Sequence, residues 1–422
     1  MTKRILIIIR TFLMGGGAQR SAAIIGTKLY NRGYDVYYLT FSNASTKYKT
    51  KGKHFSLNEN YYRLREAKGV KNFFKNTKKV LKSLIFINPR IIKDFSYKHN
   101  IDLIISFEEF INLPVVLSRI LLNNKCKLIV SIRSNPDKKY AKSRNILSML
   151  INFLFKVITI KFLYKKADII VPLSKGVGNT LYNYGFSKNS IKPIYNLFDI
   201  NFCLKLSKEK IPVDYREIFN DSFVFINIGR LIKLKGQIHL IKSFKKVVTK
   251  YNKAKLVILG DGILKNYLKQ LVKKLNLEKN IHLIGVHSNI FPFLKKSNCF
   301  VFTSIWEGFG NVIVEALSMS IPVISVDCNF GPREILCPEL DLLEGIEYPY
   351  HGKYGILTKP FKPRKNFNDL ILSDEEDVFG NLMIKIIEDP DIRNKYSNGL
   401  IRARDFDEKK IIQQWEKIIN II

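Results

Sequence analysis

Short apolar runs recur along this chain, separated by segments of helical length, and they fall into two series. Strands that are apolar throughout are typical of a parallel sheet covered by helices on both faces, because neither face meets water. The two series therefore predict two doubly wound, Rossmann-like α/β domains. The first series is ILIII, DVYYLT, DLIISF, KLIVSI, DIIVPLS and IKPIYN, and the second is FVFINIG, KLVILGDG, IHLIG, CFVFTS and PVISVD.

The chain has 422 residues, which is enough material for two hydrophobic cores. Residues 198–222 show no sustained helical or strand period, so we place the hinge near residue 200. We expect a first domain over residues 1–200 and a second over residues 201–404. Residues 405–422 have the pattern of an amphipathic helix, and we expect this helix to pack back onto the first domain.

The formal net charge is +34 and is concentrated in the first half of the chain. Residues 1–200 contain 36 Lys and Arg against 10 Asp and Glu, whereas the remainder contains 34 against 26. Such a surface attracts nucleic acid, anionic lipid or phosphorylated substrates, or it is only a lysine-rich solvated surface. No helix-turn-helix, zinc-binding or RNP-like pattern accompanies the charge, which argues against specific nucleic-acid binding.

The five cysteines are scattered and form no C-x-x-C pair, which predicts reduced, mostly buried thiols in a cytoplasmic protein.

The apolar run at residues 5–9 is cut by Arg10 and is too short for a secretory signal, so it predicts a buried first strand. No stretch reaches 18 uninterrupted apolar residues, which argues against a transmembrane span. The acidic residues 374–377 are interpreted as a solvated polar loop, and no D-x-D metal motif follows a strand.

A loop of three glycines, Gly15, Gly16 and Gly17, lies between the first predicted strand and a predicted helix. Glycine lets a ligand approach the backbone, and the N–H groups of a helix N-terminus attract an anion. A dinucleotide-binding fold would need a further glycine where Arg20 stands and an acid at the end of the second strand, where residues 40–42 are Thr-Phe-Ser. The loop predicts a phosphate-contacting turn or a plain tight turn, and supports NAD binding only weakly.

Two cations follow a strand of the second series, in FINIGRLIKLKGQ. Arg230 and Lys235 lie in the turn after Gly229, where both can reach one diphosphate, the arginine as a fork and the lysine as a point charge. The spacing lacks the Lys-Ser/Thr of a Walker motif, and basic turns are common in such a chain, so this pattern alone is a weak signal.

Two glutamates eight residues apart, Glu307 and Glu315, flank a Gly-Phe-Gly turn in FTSIWEGFGNVIVEALSMS. We expect Asn311 to cap the helix that follows and Glu315 to lie in its first turn. The N–H groups of residues 309–312 would then face an anion. A carboxylate there either complements the helix dipole or accepts hydrogen bonds from the vicinal hydroxyls of a sugar, and the spacing leaves both open.

Taken together and in this order, these segments resemble the retaining glycosyltransferases of family 4, which have the GT-B architecture and use nucleotide-diphosphate sugars. The resemblance spans nearly the whole chain, and its most specific part is the E-x7-E element, Glu307 to Glu315. It includes the glycine loop and the segments ADIIVPLS, IGRLIKLKG, LVILGDG, IHLIG, FTSIWEGFGNVIVEALSMSIPVI and GPREIL.

The resemblance implies a role for each matching residue. Arg230 and Lys235 would hold the donor diphosphate and stabilise it as a leaving group, and Glu315 would accept hydrogen bonds from the ribose diol. Glu307 would contact the transferred sugar near its reactive face and belongs with the two cations to the catalytic set. The other donor contacts would be the backbone at Gly16, Gly17, Gly308, Phe309, Gly310 and Asn311, with Val286 and His287 bordering the base.

One segment departs from the family pattern. Relatives often present a histidine near the donor sugar, whereas KLIVSIRSNPD has Arg133 followed by Ser134 and Asn135. These three are candidates for a sugar or acceptor contact, and Arg133 is a candidate to bind a phosphate or a carboxylate. We expect no metal and no other cofactor, because fixed cations and helix N–H groups can stabilise a departing diphosphate.

The resemblance implies a hexosyltransferase that uses a UDP-sugar carrying a hexose or N-acetylhexosamine. Two cationic stretches with interleaved apolar residues, 70–90 and 150–166, are expected to lie on anionic lipid. We therefore expect a cytoplasmic protein, peripheral on the inner face of the cell membrane. Its acceptor would be a polyprenyl-diphosphate saccharide in bacterial surface polysaccharide, lipopolysaccharide or glycan synthesis. A glycosyltransferase for a soluble acceptor, a nucleotide-sugar epimerase and, less favoured, a non-enzymatic nucleic-acid-binding protein remain as alternatives.

Overall fold

The apolar runs of the sequence form the strands of two separate sheets. The computed structural model describes residues 2–12, 17–41, 48–57, 82–134, 159–362 and 371–422. The chain divides into two units: unit 1 comprises Met1–Leu197 with Lys409–Ile422, and unit 2 comprises Phe198–Glu408.

Unit 1 contains a six-stranded parallel sheet with the order β3-β2-β1-β4-β5-β6. Its central strands are almost wholly buried, as expected of a sheet covered on both faces. The direction of the strand order reverses between β1 and β4. The strands are β1 (Arg4–Ile9), β2 (Asp35–Thr40), β3 (Lys53–Ser56), β4 (Leu103–Phe107), β5 (Lys127–Ile132) and β6 (Ile169–Pro172).

Helices cover both faces of this sheet. Two short π-helical turns, Ser83–Ile87 and Thr159–Leu163, and one 3₁₀ turn, Tyr164–Lys166, accompany them. The described helices of this part of the chain are α1 (Gly17–Asn31), α2 (Asn88–Lys98), α3 (Glu109–Leu122) and α4 (Lys175–Tyr182).

Unit 2 contains a seven-stranded sheet with the order β12-β13-β11-β10-β7-β8-β9, parallel except for the edge pair β12 and β13. Here the strand order reverses between β7 and β10. The strands are β7 (Val224–Ile228), β8 (Lys255–Leu259), β9 (Ile281–Gly285), β10 (Cys299–Phe302), β11 (Val323–Val326), β12 (Tyr350–His351) and β13 (Ile356–Thr358).

The helices of unit 2 alternate with these strands and then close the unit. Four 3₁₀ turns, Val213–Phe219, Lys233–Lys235, Tyr396–Asn398 and Arg404–Phe406, lie in its connections. The helices are α5 (Ile200–Leu206), α6 (Gln237–Lys250), α7 (Lys265–Lys274), α8 (Phe291–Lys296), α9 (Asn311–Ser318), α10 (Gly331–Leu336), α11 (Asp374–Glu388), α12 (Pro390–Lys395) and α13 (Gly399–Ala403).

The last helix, α14 (Glu408–Ile421), belongs largely to unit 1. Its apolar residues lie three and four positions apart, so they form one stripe along the helix. Trp415 in this stripe is fully buried, with its ring 6.3 Å from that of Phe107 at the end of β4. The stripe consists of Ile411, Ile412, Trp415, Ile418 and Ile419, all in the core with β1 and β4.

The prediction of two doubly wound α/β sheets is confirmed. The five cysteines are also buried and unpaired, as predicted. The strand predicted at IKPIYN is wrong, because the segment forms no regular strand. Ile191 makes an isolated bridge to Ile170, and the N–H groups of Lys192 and Ile194 donate to the carbonyls of Ile170 and Pro172. Pro193, between these two donors, has no N–H to offer to a further strand on the other side of the segment.

The solvated loop predicted at residues 374–377 is also wrong. These residues form the first turn of α11, where Ser373 and Glu376 make a reciprocal capping box. Glu376 is fully buried, with a carboxylate oxygen 2.7 Å from His239 Nδ1 and the other 3.1 Å from Lys242 Nζ.

Most of the two cationic stretches at 70–90 and 150–166 lies outside the described residues, which include only 82–90 and 159–166 of them. Within the part of the chain that is described, no helix has the length and apolar character needed to cross a membrane.

Candidate active site

The two turns that carry the predicted donor-binding residues lie side by side in unit 2. In an open parallel sheet, ligands bind beyond the carboxyl ends of the strands, at the point where the strand order reverses. In this sheet that point is between β7 and β10. Arg230 and Lys235 follow β7, and Glu307 follows β10, so the fold brings all three to the switch point.

Lys235 and Glu307 form an ion pair across this point. The lysine comes from the 3₁₀ turn that leads into α6, and 72 residues separate it from its partner. The same carboxylate oxygen of Glu307 accepts a hydrogen bond from the Ser304 hydroxyl at 3.0 Å. The two side chains are 20% and 18% exposed, so the pair is shielded from bulk water but remains open to a ligand.

The two turns are also held together through their backbones. The hydroxyl of Thr303, just after β10, donates to the carbonyl of Lys235 at 3.0 Å. Gly236 has a φ of +67°, and a Cβ at this position would overlap the carbonyl of Thr303. The close approach of the two turns therefore requires glycine at 236.

Arg230 is the more accessible of the two cations. Its side chain is exposed and has no ion-pair partner among the described residues. Its carbonyl accepts a hydrogen bond from the Gln237 side chain at 3.2 Å, which ties the turn to α6. An exposed guanidinium on a fixed backbone can turn toward an anion at the switch point without breaking another contact.

The helix α9 begins differently from our prediction. Gly310, with a φ of +96°, is the residue before the helix, and Asn311 is the first helical residue, so the prediction that Asn311 caps the helix is wrong. A left-handed conformation at the helix boundary favours glycine. Because Gly310 occupies the capping position, Asn311 cannot cap the helix.

Glu315 is the fifth residue of α9 and lies beyond its first turn, contrary to our prediction. It is only 4% exposed. A carboxylate buried to this degree is held by hydrogen bonds or ion pairs rather than by water, so its role is not that of a surface charge near a helix end.

The Gly-Phe-Gly turn between the two glutamates is packed from several sides. Phe309 is buried and lies edge-on to Phe406, with 5.3 Å between the ring centroids. Glu307 makes an isolated backbone bridge to Phe330, and a Cβ on Gly331 would overlap the carbonyl of Phe309. The turn, Gly308 included, is thereby held in one conformation by remote parts of unit 2.

Val286 and His287 lie at the end of β9, the outermost strand of the sheet, and not beside Glu307. Val286 is 73% exposed. The His287 ring packs against Phe293 and Tyr215, with centroid distances of 4.7 and 5.2 Å. Two strand spacings separate β9 from β7, which is about 10 Å, so one ligand would have to be elongated to reach both ends.

The predicted residues of unit 1 follow β1 and β5. Gly17 is the first residue of α1, whereas Gly16 and Asn135 lie outside the described residues. Arg133 and Ser134 directly follow β5. The guanidinium of Arg133 lies over the rings of Phe107 and Trp415, at 5.0 and 5.9 Å from their centroids.

Glu108 is a residue that the sequence analysis missed. It directly follows β4, at the switch point of the sheet in unit 1, and has a φ of +79°, which is rare for a glutamate. Its carboxylate accepts a hydrogen bond from the Gln19 amide at 2.6 Å and lies 3.9 Å from Arg10. Burial raises the pKa of Glu108, and the nearby Arg10 and Gln19 only partly oppose this. The local signal was an acid placed immediately after the apolar run DLIISF.

Among the described residues, no group of three or more His, Cys, Asp or Glu side chains is arranged to hold a metal ion.

The chain matches two protein families in succession. Residues 15–202 match Glycosyltransferase Family 4, and residues 211–344 match Glycosyl transferases group 1. An uncharacterized glycosyltransferase of Methanocaldococcus jannaschii is 46% identical over 354 residues, 82% of each chain. The N-acetylgalactosamine-N,N'-diacetylbacillosaminyl-diphospho-undecaprenol 4-alpha-N-acetylgalactosaminyltransferase of Campylobacter jejuni is 31% identical over 306 residues, 72% of each chain. Among solved structures, Anabaena HepE in complex with UDP and glucose shares the fold, with a TM-score of 0.69 and 19% identity over the full length of both chains.

Proposed function

We propose, from the premise that this chain belongs to the GT-B family of glycosyltransferases, that it transfers a hexose or N-acetylhexosamine from a UDP-sugar to a polyprenyl-diphosphate-linked saccharide. The transfer would retain the anomeric configuration and would serve the synthesis of a bacterial surface polysaccharide or glycan. The observation that carries the proposal is the meeting of Arg230, Lys235 and Glu307 at the switch point of unit 2.

The two cations suit the chemistry of a departing nucleotide. When the bond between the anomeric carbon and the diphosphate oxygen breaks, its electron pair stays on the diphosphate and negative charge grows there. Lys235 is already oriented by Glu307, whose carboxylate also accepts from Ser304, and Arg230 is free to approach. Charges fixed before the reaction stabilise such a leaving group without having to reorganise.

The two glutamates then have different environments and different tasks. Glu307 lies beside Lys235 and is partly exposed, so its second oxygen can accept a hydrogen bond from a hydroxyl of the transferred sugar. Glu315 is buried in α9, where we assign it to the ribose diol. Val286 and His287, about two strand spacings away, would border the uracil.

The lipid-linked acceptor is supported by a relative and by the surface of unit 1. The Campylobacter relative is named for an acceptor on diphospho-undecaprenol. In unit 1, the π-helical turns Ser83–Ile87 and Thr159–Leu163 pack with α3 through Leu84, Leu117 and Leu163. The exposed apolar side chains on these three neighbouring elements are Phe86, Ile87, Ile120, Leu121 and Phe162.

Lysines accompany these exposed side chains. Lys82 precedes the first turn, and Lys161 lies 5.9 Å from the ring centroid of Phe162. Aromatic groups that enter the headgroup layer, with lysines beside them, favour an anionic membrane by about 1 kcal/mol for each well-placed cation. We propose that unit 1 binds peripherally to the inner face of the cell membrane through this surface.

The donor site is tested by thermal unfolding against UDP, GDP, ADP and NAD at matched concentrations. A ligand at 100 times its dissociation constant stabilises the folded state by about 2.7 kcal/mol. We expect a selective upward shift with UDP that is lost in Glu315→Ala and Arg230→Gln. The exposed residues Glu347 and Arg404 of the same unit supply the controls, Glu347→Gln and Arg404→Gln, which should keep the shift. A shift with NAD alone, or with no nucleotide, would contradict the proposal.

The membrane surface is tested by flotation with vesicles of neutral or anionic lipid at low salt. Binding to anionic vesicles should weaken in Phe86→Ser with Phe162→Ser and disappear at high salt. The exposed apolar residue Val213 of unit 2 gives the control Val213→Ser, which should float like the wild type. No binding by the wild type at low salt would contradict a peripheral membrane enzyme, while full activity on a lipid-free saccharide would favour a soluble acceptor.

A further inference from the structure

Arg133 in unit 1 is a buried cation with an unused hydrogen-bonding edge. Its Nη1 donates to the side-chain oxygen of Asn196 at 3.2 Å. Its Nε and Nη2 are shut off from solvent and have no hydrogen-bond partner among the described residues. These two nitrogens form the side-on edge of the guanidinium, whose geometry matches two oxygens of a carboxylate or phosphate.

The side chain is held in place by its other contacts. The guanidinium lies over Phe107 and Trp415, and such cation–π contacts fix its plane. Asn196 Oδ1, which accepts from Arg133, is also 2.8 Å from the hydroxyl of Ser21 in α1. The arginine is thereby tied to the helix that begins at Gly17 and to the end of β5. The unpaired edge of the guanidinium, Nε and Nη2, is thereby held in a fixed orientation.

Among the described residues, no acid balances this charge. Burial alone lowers the pKa of Arg133 to about 9, which leaves the group charged at neutral pH, and no neighbouring carboxylate acts in the opposite direction. A buried cation without a counter-ion destabilises a protein, and two unmade hydrogen bonds add to this cost. An anionic ligand at this edge would supply both the missing counter-charge and the missing hydrogen-bond acceptors.

We infer that Arg133 binds one oxyanion of a substrate, a phosphate or a carboxylate, in a bidentate manner through Nε and Nη2. The inference rests on the proposed glycosyl transfer, since it concerns a substrate of that reaction. The residue as a whole is partly exposed, although Nε and Nη2 are buried. The oxyanion has two possible sources, the diphosphate of a lipid-linked acceptor and the carboxylate of an acidic sugar.

The site can be observed through Trp415. The chain has two tryptophans, so the variant Trp306→Phe leaves Trp415, beside Arg133, as the fluorescent reporter. This protein is titrated with inorganic pyrophosphate, with farnesyl diphosphate, and with UDP-glucuronic acid against UDP-glucose. Response to farnesyl diphosphate identifies the acceptor phosphates, and a preference for glucuronic acid over glucose identifies a sugar carboxylate.

We expect at least one of these anions to give a saturable change whose dissociation constant rises tenfold or more in Arg133→Gln. Arg133→Lys, which keeps the charge but loses the fork, should also bind more weakly than the wild type. The matched control is Arg32→Gln, which removes an exposed arginine of the same unit that pairs with Glu416, and it should bind normally. Anion titrations that are identical in the wild type and in Arg133→Gln, or no response to any anion, would overturn the inference.

Stability separates a binding arginine from a structural one. Arg133→Met keeps the length of the side chain and its packing against two aromatic rings while removing the unpaired charge. Its melting temperature without ligand should equal or exceed that of the wild type, although anion binding is lost. A lower melting temperature together with Arg133-independent anion binding would show that the arginine is structural. Failure here is distinct from failure of the donor proposal, because the UDP shift depends on Arg230 and Glu315 in unit 2.

Discussion

The ammonium of Lys235 and the carboxylate of Glu307 pair across β7 and β10, where the strand order of the sheet in unit 2 reverses. Neither residue belongs to a strand; each stands in the turn that follows one. The pair places two opposite charges at the switch point, where a ligand of an open parallel sheet binds.

Loss of Lys235 should reduce turnover far more than stability. Lys235→Ala removes a fixed charge beside the departing diphosphate, and a loss of about 100- to 1,000-fold in kcat is expected for one such group. Because Glu307 orients the lysine, the double variant Lys235→Ala with Glu307→Gln should lose less than the product of the single losses. Steady-state kinetics on all three variants, with the exposed Lys233→Ala as a control, measure this. Fully multiplicative losses would argue against coupling.

Gly236 should tolerate no side chain. In Gly236→Ala, the Cβ would meet the carbonyl of Thr303, and the residue would keep a left-handed conformation. We expect a loss of roughly 1–3 kcal/mol of unfolding free energy, with weaker UDP binding because the turn carries Lys235. Gly345→Ala, at a glycine with open space around it, should melt like the wild type. Denaturant unfolding of both variants and of the wild type measures this loss. A Gly236→Ala protein as stable as the wild type would show that the two turns can separate.

Glu376 should make the protein sensitive to acid. Burial alone would raise the pKa of this carboxyl, but the hydrogen bond from His239 and the nearby Lys242 hold it below its usual 4.5. The contribution of such a group to folding stability is present above pH 4.5 and is lost as the pH falls through its folded-state pKa. Glu376→Ala should cost about 3–5 kcal/mol at pH 7, and this deficit should shrink in acid. The exposed Asp374→Asn serves as a control, and a deficit that stays constant from pH 7 to pH 3 would contradict the pairing.

Glu108 should have the opposite pH dependence. Its pKa is raised by burial, so its contribution to stability is fully present at low pH and is lost as the pH rises through the folded-state pKa. Relative to the wild type, Glu108→Gln should therefore gain melting temperature between pH 4 and pH 7. The exposed Asp94→Asn is the matched control in the same unit. A difference from the wild type that does not change with pH would show that burial does not control this carboxyl.

Strand positions were readable from the sequence because their signal is local. In an uninterrupted run such as ILIII, the side chains on both faces of the strand are apolar, so both faces must be covered. The structure buries residues 5–9 completely. The failure at IKPIYN was also local, since Pro193 was visible. The buried Glu376 was readable too, because Ser373 three residues before it completes a capping-box pattern.

The arrangement of the candidate site depends on long-range order and could not be read in the same way. Lys235 and Glu307 are 72 residues apart, and they meet only because β10 pairs with β7 and not with β9, which precedes it in the chain. The contacts of Glu108 with Gln19 and Arg10 could not be predicted, because they form only when β4 lies beside β1. The side-chain preference of Asn311 for a capping position was overridden by the backbone of Gly310, which only the structure reveals.

The burial of Trp415 in unit 1 makes the core of that unit discontinuous in the chain. During synthesis, the first 197 residues emerge without the helix that completes their core, and the whole of unit 2 is made before that helix appears. Unit 2, which is continuous, can fold in this interval, whereas the apolar surface that will receive Trp415 stays uncovered. The order of maturation is thus the reverse of the order of translation, and the growing chain needs protection from aggregation for longest at its oldest part.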